Sequence, residues 1–376
     1  MTEPKPLRLG FVGPAASITF RRWVDWFRRR GHEAMVYTVE PSNSVEFSHY
    51  DLSAGAGPGK IGRIKSLVRL ARELRRVRPD VVHFHYARGV AWGGVLAGIH
   101  PYIVTPWGSD ILEEQGAFKE WFSRPLTQRL LGKADLVTVH SRYLESRVRP
   151  MLREGQTVAR IGWGVDRRSF REGIPTSALR QRWGIHGEHR VLFSPRLAQR
   201  FYRHDMILKA LPAILAKVPE ALLVIAEPCA DADYIDELKH VVATLGLTRQ
   251  VRFVGQIPYT DMPVWYNMAD ATVMVPESDG MPNSLWEAMA CGSVPILRRL
   301  PQYAEVIRHG VNGFLLGDSG APLSETAIRV LSDAVLRRTI AERNRDIVRE
   351  QADQDREMTQ MEWWYGRLSR QEGLRI

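Results

Sequence analysis

Long hydrophobic runs are missing from this 376-residue chain, and cysteine is nearly so. No apolar stretch approaches the roughly 18 residues that a membrane-spanning helix requires. The polar start, Met1 to Pro6, leads straight into a strand-like run without a recognisable secretory leader, so a cytoplasmic setting is expected. The two cysteines, Cys229 and Cys291, stand far apart and resemble neither a nucleophile nor a metal ligand, and a reducing compartment is the simplest setting. Zinc-finger spacing, arginine-glycine tracts and aromatic RNA-binding strands are absent, so no nucleic-acid partner is expected. There is no Gly-x-Ser-x-Gly elbow and no Cys/His pair suited to covalent catalysis. His83 and His85, two apart on a strand, share a face that would suit a metal, but no Asp-x-Asp motif accompanies them. Neither a metal nor a cofactor is therefore expected. Gly55-Ala-Gly-Pro-Gly-Lys60 has the look of a phosphate loop, yet Ala54 stands where its first glycine belongs and Ile61 where Ser or Thr belongs.

What is present describes a globular protein. Hydrophobic residues make up 44% and charged residues 25%, ordinary values for a soluble fold. The length exceeds what one core usually organises, so two domains are expected. The net charge of +10 is unevenly spread: residues 1–100 hold 16 Lys and Arg against 8 Asp and Glu. Much of this excess lies on two helical patterns. In 60–78, Ile61, Ile64, Val68, Leu74 and Val77 predict an apolar face with the arginines elsewhere. In 21–30, Trp23, Trp26 and Phe27 stand among Arg21, Arg22 and Arg28 to Arg30, a mixture favoured by helices lying in a membrane interface. The plain account is a pair of solvated outer helices; the sharper one is weak, salt-sensitive attraction to an anionic membrane surface.

Strands and helices alternate in two series. The first places strands near 7–12, 34–39, 80–85, 102–105 and 134–140; the second near 190–195, 221–226, 251–254 and 271–275. Alternation of this kind predicts parallel sheets covered on both faces. A polar stretch from Gly162 to about Glu188 reads as the hinge region.

The most informative segment runs from Ala271 to Gly292. A β-branched strand is broken by Gly280, Pro282 and Asn283, and a helix then begins near Ser284. A strand that feeds a tight loop and a helix N-terminus directs backbone N–H groups and partial positive charge to one spot, which suits phosphate or sugar oxygens. Asp279 and Glu287 flank it. Alternatively, Ser284 and Glu287 form a capping box that merely closes the helix's own first turn.

This segment resembles the signature of glycosyltransferase family 4: two acidic residues separated by seven positions, the second opening Glu-Ala-Met-Ala-x-Gly. Arg30-Gly-His-Glu33, Asp80-Val-Val-His-Phe-His85, Ala134-Asp-Leu-Val137, Gly164-Val-Asp166 and Gly310-Val-Asn-Gly-Phe314 resemble further family elements in the expected order. The resemblance implies an α/β GT-B fold, with two Rossmann-like doubly wound domains facing across a cleft. An acceptor-side domain would span 1–168, joined by a C-terminal helix at 355–376, and a nucleotide-sugar domain would span 169–354. It implies a retaining transfer from an NDP-sugar to a lipid-linked or small-molecule acceptor in cell-envelope or glycoconjugate synthesis, on or near the inner membrane face. A nucleotide-sugar 2-epimerase on the same fold is the alternative.

By the same resemblance Glu287 holds the donor ribose and Asp279 lies against the transferred sugar, with Asp where Glu is usual. Arg196 faces the diphosphate. The family's lysine, five positions later, is here Phe201, so Arg200 and Arg203 are the candidates to supply the missing cation. Gly13, Gln256, Ile257, Gly280, Met281, Pro282, Asn283 and Ser284 complete the expected donor contacts. In Thr105-Pro-Trp-Gly-Ser-Asp110, Trp107 occupies the family's histidine place. Asp110 is expected either to bind a hydroxyl or to cap the helix that follows it.

Overall fold

The computed structural model describes residues 5–40, 49–57, 59–112, 117–227, 230–317 and 322–372. The chain divides into two compact units, one formed by residues 1–163 with 355–376 and the other by 164–354. The crossover thus falls at Trp163–Gly164, ahead of the expected 168/169. Gly164 is held in the second unit because it lies flat on that unit's last turn: a Cβ there would meet Gln354 Cα at 2.4 Å. Val165 also bridges Asp353.

The first unit carries a seven-stranded parallel sheet. Its strands are β1 (Arg8–Val12), β2 (Glu33–Thr38), β3 (His49–Asp51), β4 (Val81–His85), β5 (Tyr102–Thr105), β6 (Leu136–Val139) and β7 (Val158–Arg160), ordered β3-β2-β1-β4-β5-β6-β7. The second unit holds β8 (Arg190–Ser194), β9 (Ala221–Ile225), β10 (Val251–Phe253), β11 (Ala271–Met274), β12 (Val294–Arg298) and β13 (Phe314–Leu316), ordered β10-β9-β8-β11-β12-β13. Central strands such as β4 and β9 are buried at every position, as sheets covered on both faces require. In each sheet the order reverses direction once, between β1 and β4 and between β8 and β11. Doubly wound sheets place ligands at the carboxyl ends of the strands beside such a reversal.

The C-terminal helix Gln354–Glu372 returns to the first unit. Met358, Met361, Tyr365 and Leu368 enter its core beside Trp23 and Phe27. Glu362 takes two bonds from the Arg30 guanidinium, at 3.2 and 3.0 Å, and lies 2.9 Å from His32 Nε2.

Both basic helices differ from expectation. In Ile18–Arg29, Trp23 and Phe27 are buried, and Trp26 donates its indole N–H to Asp355 at 2.9 Å. These aromatics anchor the returning helix rather than a membrane face. In Gly59–Val77 the buried stripe is Gly62, Ser66, Leu70 and Leu74 with Ala71. Ile61, Ile64 and Val68 are instead 70%, 60% and 45% exposed. Small residues decide this orientation, because Gly62 packs so closely on the preceding loop that a Cβ would lie 1.8 Å from the Gly57 carbonyl oxygen.

Candidate active site

In the second unit the loop after β8 carries Arg196, and the loop after β11 leads through Gly280 and Pro282 into the Asn283–Ala290 helix. Pro282 sits extended at the N-cap, so Asn283 and Ser284 are the first helical residues. The Arg196 guanidinium lies against this helix start. One nitrogen is 2.7 Å from Asp279 Oδ2, another donates to Ser284 Oγ at 2.9 Å, and the group rests 4.7 Å over the Tyr202 ring. Asp279 Oδ2 also accepts the Tyr303 hydroxyl at 2.7 Å, and Oδ1 accepts the Gly280 N–H at 2.9 Å. Burial works to lower the Arg196 pKa, but the adjacent Asp279 carboxylate and the Tyr202 and Tyr303 hydroxyls outweigh it, so the pKa rises and the charge is permanent. Burial, with Asp279 beside it, pushes the Tyr303 hydroxyl well up. An ion pair at a helix N-terminus therefore stands at the strand-order reversal, where an anion would be received.

Glu287 is 4% exposed. Its Oε1 accepts the Tyr259 hydroxyl at 3.0 Å and its Oε2 the Tyr266 hydroxyl at 3.3 Å. The capping-box alternative does not hold, because Ser284 lies inside the helix and its hydroxyl receives Arg196 rather than a first-turn N–H. Met281 and Pro282 are buried, and the Met281 side chain packs into the core, so this stretch can offer a ligand only its backbone. Gln256 is exposed and Ile257 half-buried, and the link from their loop to the site is Tyr259. Tyr259, Tyr266 and Tyr303, which reach the acidic pair, and Tyr202, which lies against Arg196, had no local sequence signal, since each comes from a separate element.

The two flanking arginines behave differently. Arg200 turns to the Ala232–Thr244 helix, where it pairs with Glu237 and lies 5.4 Å over the Tyr234 ring. It is thereby directed away from the Arg196 cluster. Arg203 adopts φ +54° at the N-cap of the His204–Leu215 helix and is half-buried. Its guanidinium makes no hydrogen bond or ion pair among the described residues. Phe201 contributes its carbonyl, which accepts the Glu277 N–H at 3.0 Å.

In the first unit a cavity of about 760 Å³ opens at the carboxyl ends of β1 and β4, with Gly13, His85, Tyr86, Arg88, Trp92 and Trp107 among its walls. Gly13 is required by close approach: a Cβ there would lie 2.6 Å from the Phe20 ring and 3.1 Å from His85 Cβ. Asp110 is completely buried and does not line this cavity. It accepts the N–H groups of Ala87 at 2.6 Å, Trp107 at 2.9 Å and Gly108 at 3.0 Å, fastening two loops together. Burial raises its pKa, against the pull of those backbone bonds. Asp110 thus positions Trp107 and Ala87 and caps no helix by itself. Among the described residues no group of three or more His, Cys, Asp or Glu side chains is arranged to hold a metal ion. Both His83 nitrogens are engaged, by the Tyr365 hydroxyl and by Thr105 Oγ1. The Cys291 thiol is buried, and burial with the nearby Glu287 pushes its pKa up, so it is no nucleophile; Cys229 lies outside the described residues.

Residues 8–141 match the family described as glycosyl transferase 4-like, and residues 176–347 match glycosyl transferases group 1. The chain is 25% identical over 338 residues to the N-acetyl-alpha-D-glucosaminyl L-malate synthase of Bacillus anthracis, covering 87% of this chain and 82% of that protein. It is 27% identical over 319 residues to the GDP-mannose-dependent alpha-(1-6)-phosphatidylinositol monomannoside mannosyltransferase of Mycolicibacterium smegmatis, covering 80% and 81%. Among solved structures, Anabaena Alr3699/HepE in complex with UDP-glucose aligns with a TM-score of 0.78 at 18% identity, over 94% of this chain and 98% of that one.

Proposed function

This chain belongs to glycosyltransferase family 4, a GT-B enzyme that uses a nucleotide-sugar donor, and we propose that it transfers the sugar with retention in the synthesis of a cell-envelope glycolipid or glycoconjugate. The observation that carries this reading is the Arg196–Asp279–Ser284 cluster at the start of the Asn283–Ala290 helix. A nucleoside diphosphate leaving group gains negative charge as the glycosidic bond breaks, and preorganised donors lower that barrier. Arg196, the helix N–H groups and Arg203, whose guanidinium has no partner among the described residues, supply them. When the diphosphate takes Arg196, Asp279 is released to accept hydroxyls of the transferred sugar. Glu287, oriented by two tyrosines, receives the ribose. The leaving phosphate takes the acceptor proton on the same face, so this mechanism calls on neither a dedicated protein base nor a metal.

The isomerase alternative finds no support, since the relatives named above are a synthase and a mannosyltransferase. The acceptor belongs to the first unit. Ile61, Ile64 and Val68 form an exposed aliphatic row flanked by the exposed Lys60, Arg63, Lys65 and Arg72 on a helix that also lines the cavity through Gly62, Arg63 and Leu67. Such a surface favours peripheral docking on the anionic inner face of a membrane and a lipid-linked acceptor. No helix among the described residues is long and apolar enough to cross a membrane.

Thermal shifts with UDP-, GDP-, ADP- and TDP-sugars test the donor reading, followed by transfer of radiolabel from the stabilising donor to a lipid extract. One base series is expected to stabilise the protein and to pass label to lipid; stabilisation by none of them overturns the reading. Co-sedimentation with phosphatidylglycerol vesicles at low and high salt tests the membrane surface. Binding at low salt that is lost in Ile61→Glu/Ile64→Glu supports it, and no binding to these vesicles removes it.

A further inference from the structure

His83 and His85 lie on the same face of β4, both about 1% exposed, with rings stacked at 4.1 Å. His83 has a partner on each nitrogen. His85 has a partner on neither among the described residues, although both nitrogens are buried. Its ring is enclosed by Phe20 and Trp23, each at 5.1 Å, and by Trp163 at 5.5 Å and Trp107 at 6.5 Å. The Trp107 indole N–H is likewise buried without a partner. Both side chains line the cavity at the ends of β1 and β4.

Buried polar groups in native proteins are almost always hydrogen-bonded, and an exception calls for an explanation. Exceptions that face one cavity, with Ser123 Oγ among them, call for the same explanation. The residue after His85 adds a further sign: Tyr86 holds φ +102°, a region that a bulky side chain rarely occupies, and is kept there by its N–H bond to the Thr105 carbonyl at 3.0 Å. Strain of this kind is sustained where the surrounding structure over-determines it, commonly at ligand sites.

We propose that His85 is the acceptor-positioning residue, holding with the Trp107 indole N–H a hydroxyl-bearing ring, a pyranose or cyclitol, inside this cavity. The inference rests on the transferase reading above. Burial and the neighbouring His83 keep the His85 imidazole neutral at ordinary pH, so it offers one N–H and one lone pair. A hydroxyl can donate or accept, so two hydroxyls of one ring can answer the two nitrogens. A carboxylate or phosphate would set negative charge against that lone pair inside an aromatic enclosure; Arg63 and Arg88, which also line the cavity, are not among the rings that close round His85. The apolar walls suit the C–H faces of a saturated ring, while the few polar groups fix its orientation. His85 thereby aligns the nucleophilic hydroxyl and takes no proton from it.

Titration of ¹⁵N-histidine-labelled full-length protein with myo-inositol and with methyl α-D-glucopyranoside, using succinate as the anionic control, tests this directly. At least one of the two polyols is expected to shift both His85 nitrogens saturably while leaving those of His83 in place. No shift from either, or an equal shift from succinate, overturns the proposal. In His85→Phe, acceptor kcat/KM is expected to fall tenfold or more, with donor KM and nucleotide affinity unchanged and the melting temperature not lowered. His85→Asn, which keeps a donor and an acceptor, is expected to recover part of that loss. Unchanged acceptor use in both variants overturns the role, and so does a loss in donor and acceptor use alike. Failure of NDP-sugar binding in the wild type would instead strike the donor reading, and the polyol titration reads out independently of it.

Discussion

At the ends of β8 and β11 the buried charged groups already have partners: Arg196 holds Asp279 and Ser284, and Glu287 holds two tyrosine hydroxyls. At the corresponding ends of β1 and β4, His85 and Trp107 have none among the described residues. The same strand order thus prepares its two sites in opposite ways, and under the proposed function the difference follows the charge of the ligand. A site for an anion needs a buried cation, and a buried unpaired charge is too costly to leave alone. On the proposed donor reading, Asp279 stands in for the phosphate. A site for a neutral hydroxyl needs only dipoles, and an orphaned imidazole costs about 1–3 kcal/mol, which a folded unit can sustain.

The largest effect is expected from Glu287→Ala, which should abolish transfer and weaken binding of the free nucleotide. If titration calorimetry finds nucleotide affinity intact per folded molecule, Glu287 serves only its two tyrosines and the prepared-site account fails there. Arg196→Ala should lower NDP affinity tenfold or more, since a charge-assisted bond contributes roughly 1.5–3 kcal/mol, while leaving nucleoside affinity nearly unchanged. Asp279→Asn sharpens the contrast most. Turnover should fall strongly, yet NDP should bind as well as before or several-fold tighter, because the internal competitor for Arg196 has lost its charge. A parallel loss of NDP binding would show that Asp279 does not stand in for phosphate.

Acid should separate the two units. Burial holds His83 at about 3 and His140 at about 4, and holds His85 well below its usual 6.5. Above about pH 6.5 these imidazoles are neutral whether folded or unfolded and contribute no pH dependence. Below it the unfolded chain takes up protons that the folded first unit refuses. Its stability should therefore fall from about pH 6.5 down to about pH 4, by up to ~1.4 kcal/mol per histidine per pH unit. In the second unit His204 acts in the same sense, with the half-buried His189 adding less. Thermal proteolysis mapped by mass spectrometry at pH 7.5 and 5.5 should find the first unit weakened more. The smallest effect separates the flanking arginines: Arg203→Ala should weaken NDP binding several-fold and Arg200→Ala hardly at all. The reverse order would mean that Arg200 leaves Glu237 when the donor arrives.

Sequence alone was enough for the strand-and-helix alternation and for the break between β11 and the Asn283–Ala290 helix, whereas Arg196, Asp279 and Glu287 were singled out as a set only through the family resemblance. The first two are written in local spacing: apolar runs of strand length and a Gly-Pro-Asn interruption. The exposed row of Ile61, Ile64 and Val68 was not readable, because their helix turns its smaller side toward a loop that Gly62 lets come close. Nor could spacing distinguish Arg200 from Arg203, since Glu237, which engages one of them, lies on another helix. Asp110 was legible as an acid beside a helix start, but the fold engages it with amides of two loops. His83 and His85 are equivalent in sequence, two histidines on one strand face. Only the tertiary structure brings Tyr365 and Thr105 to the first and leaves the second facing the cavity. Elements follow from short-range pattern, whereas a side chain's hydrogen-bond balance depends on partners that arrive from anywhere in the chain.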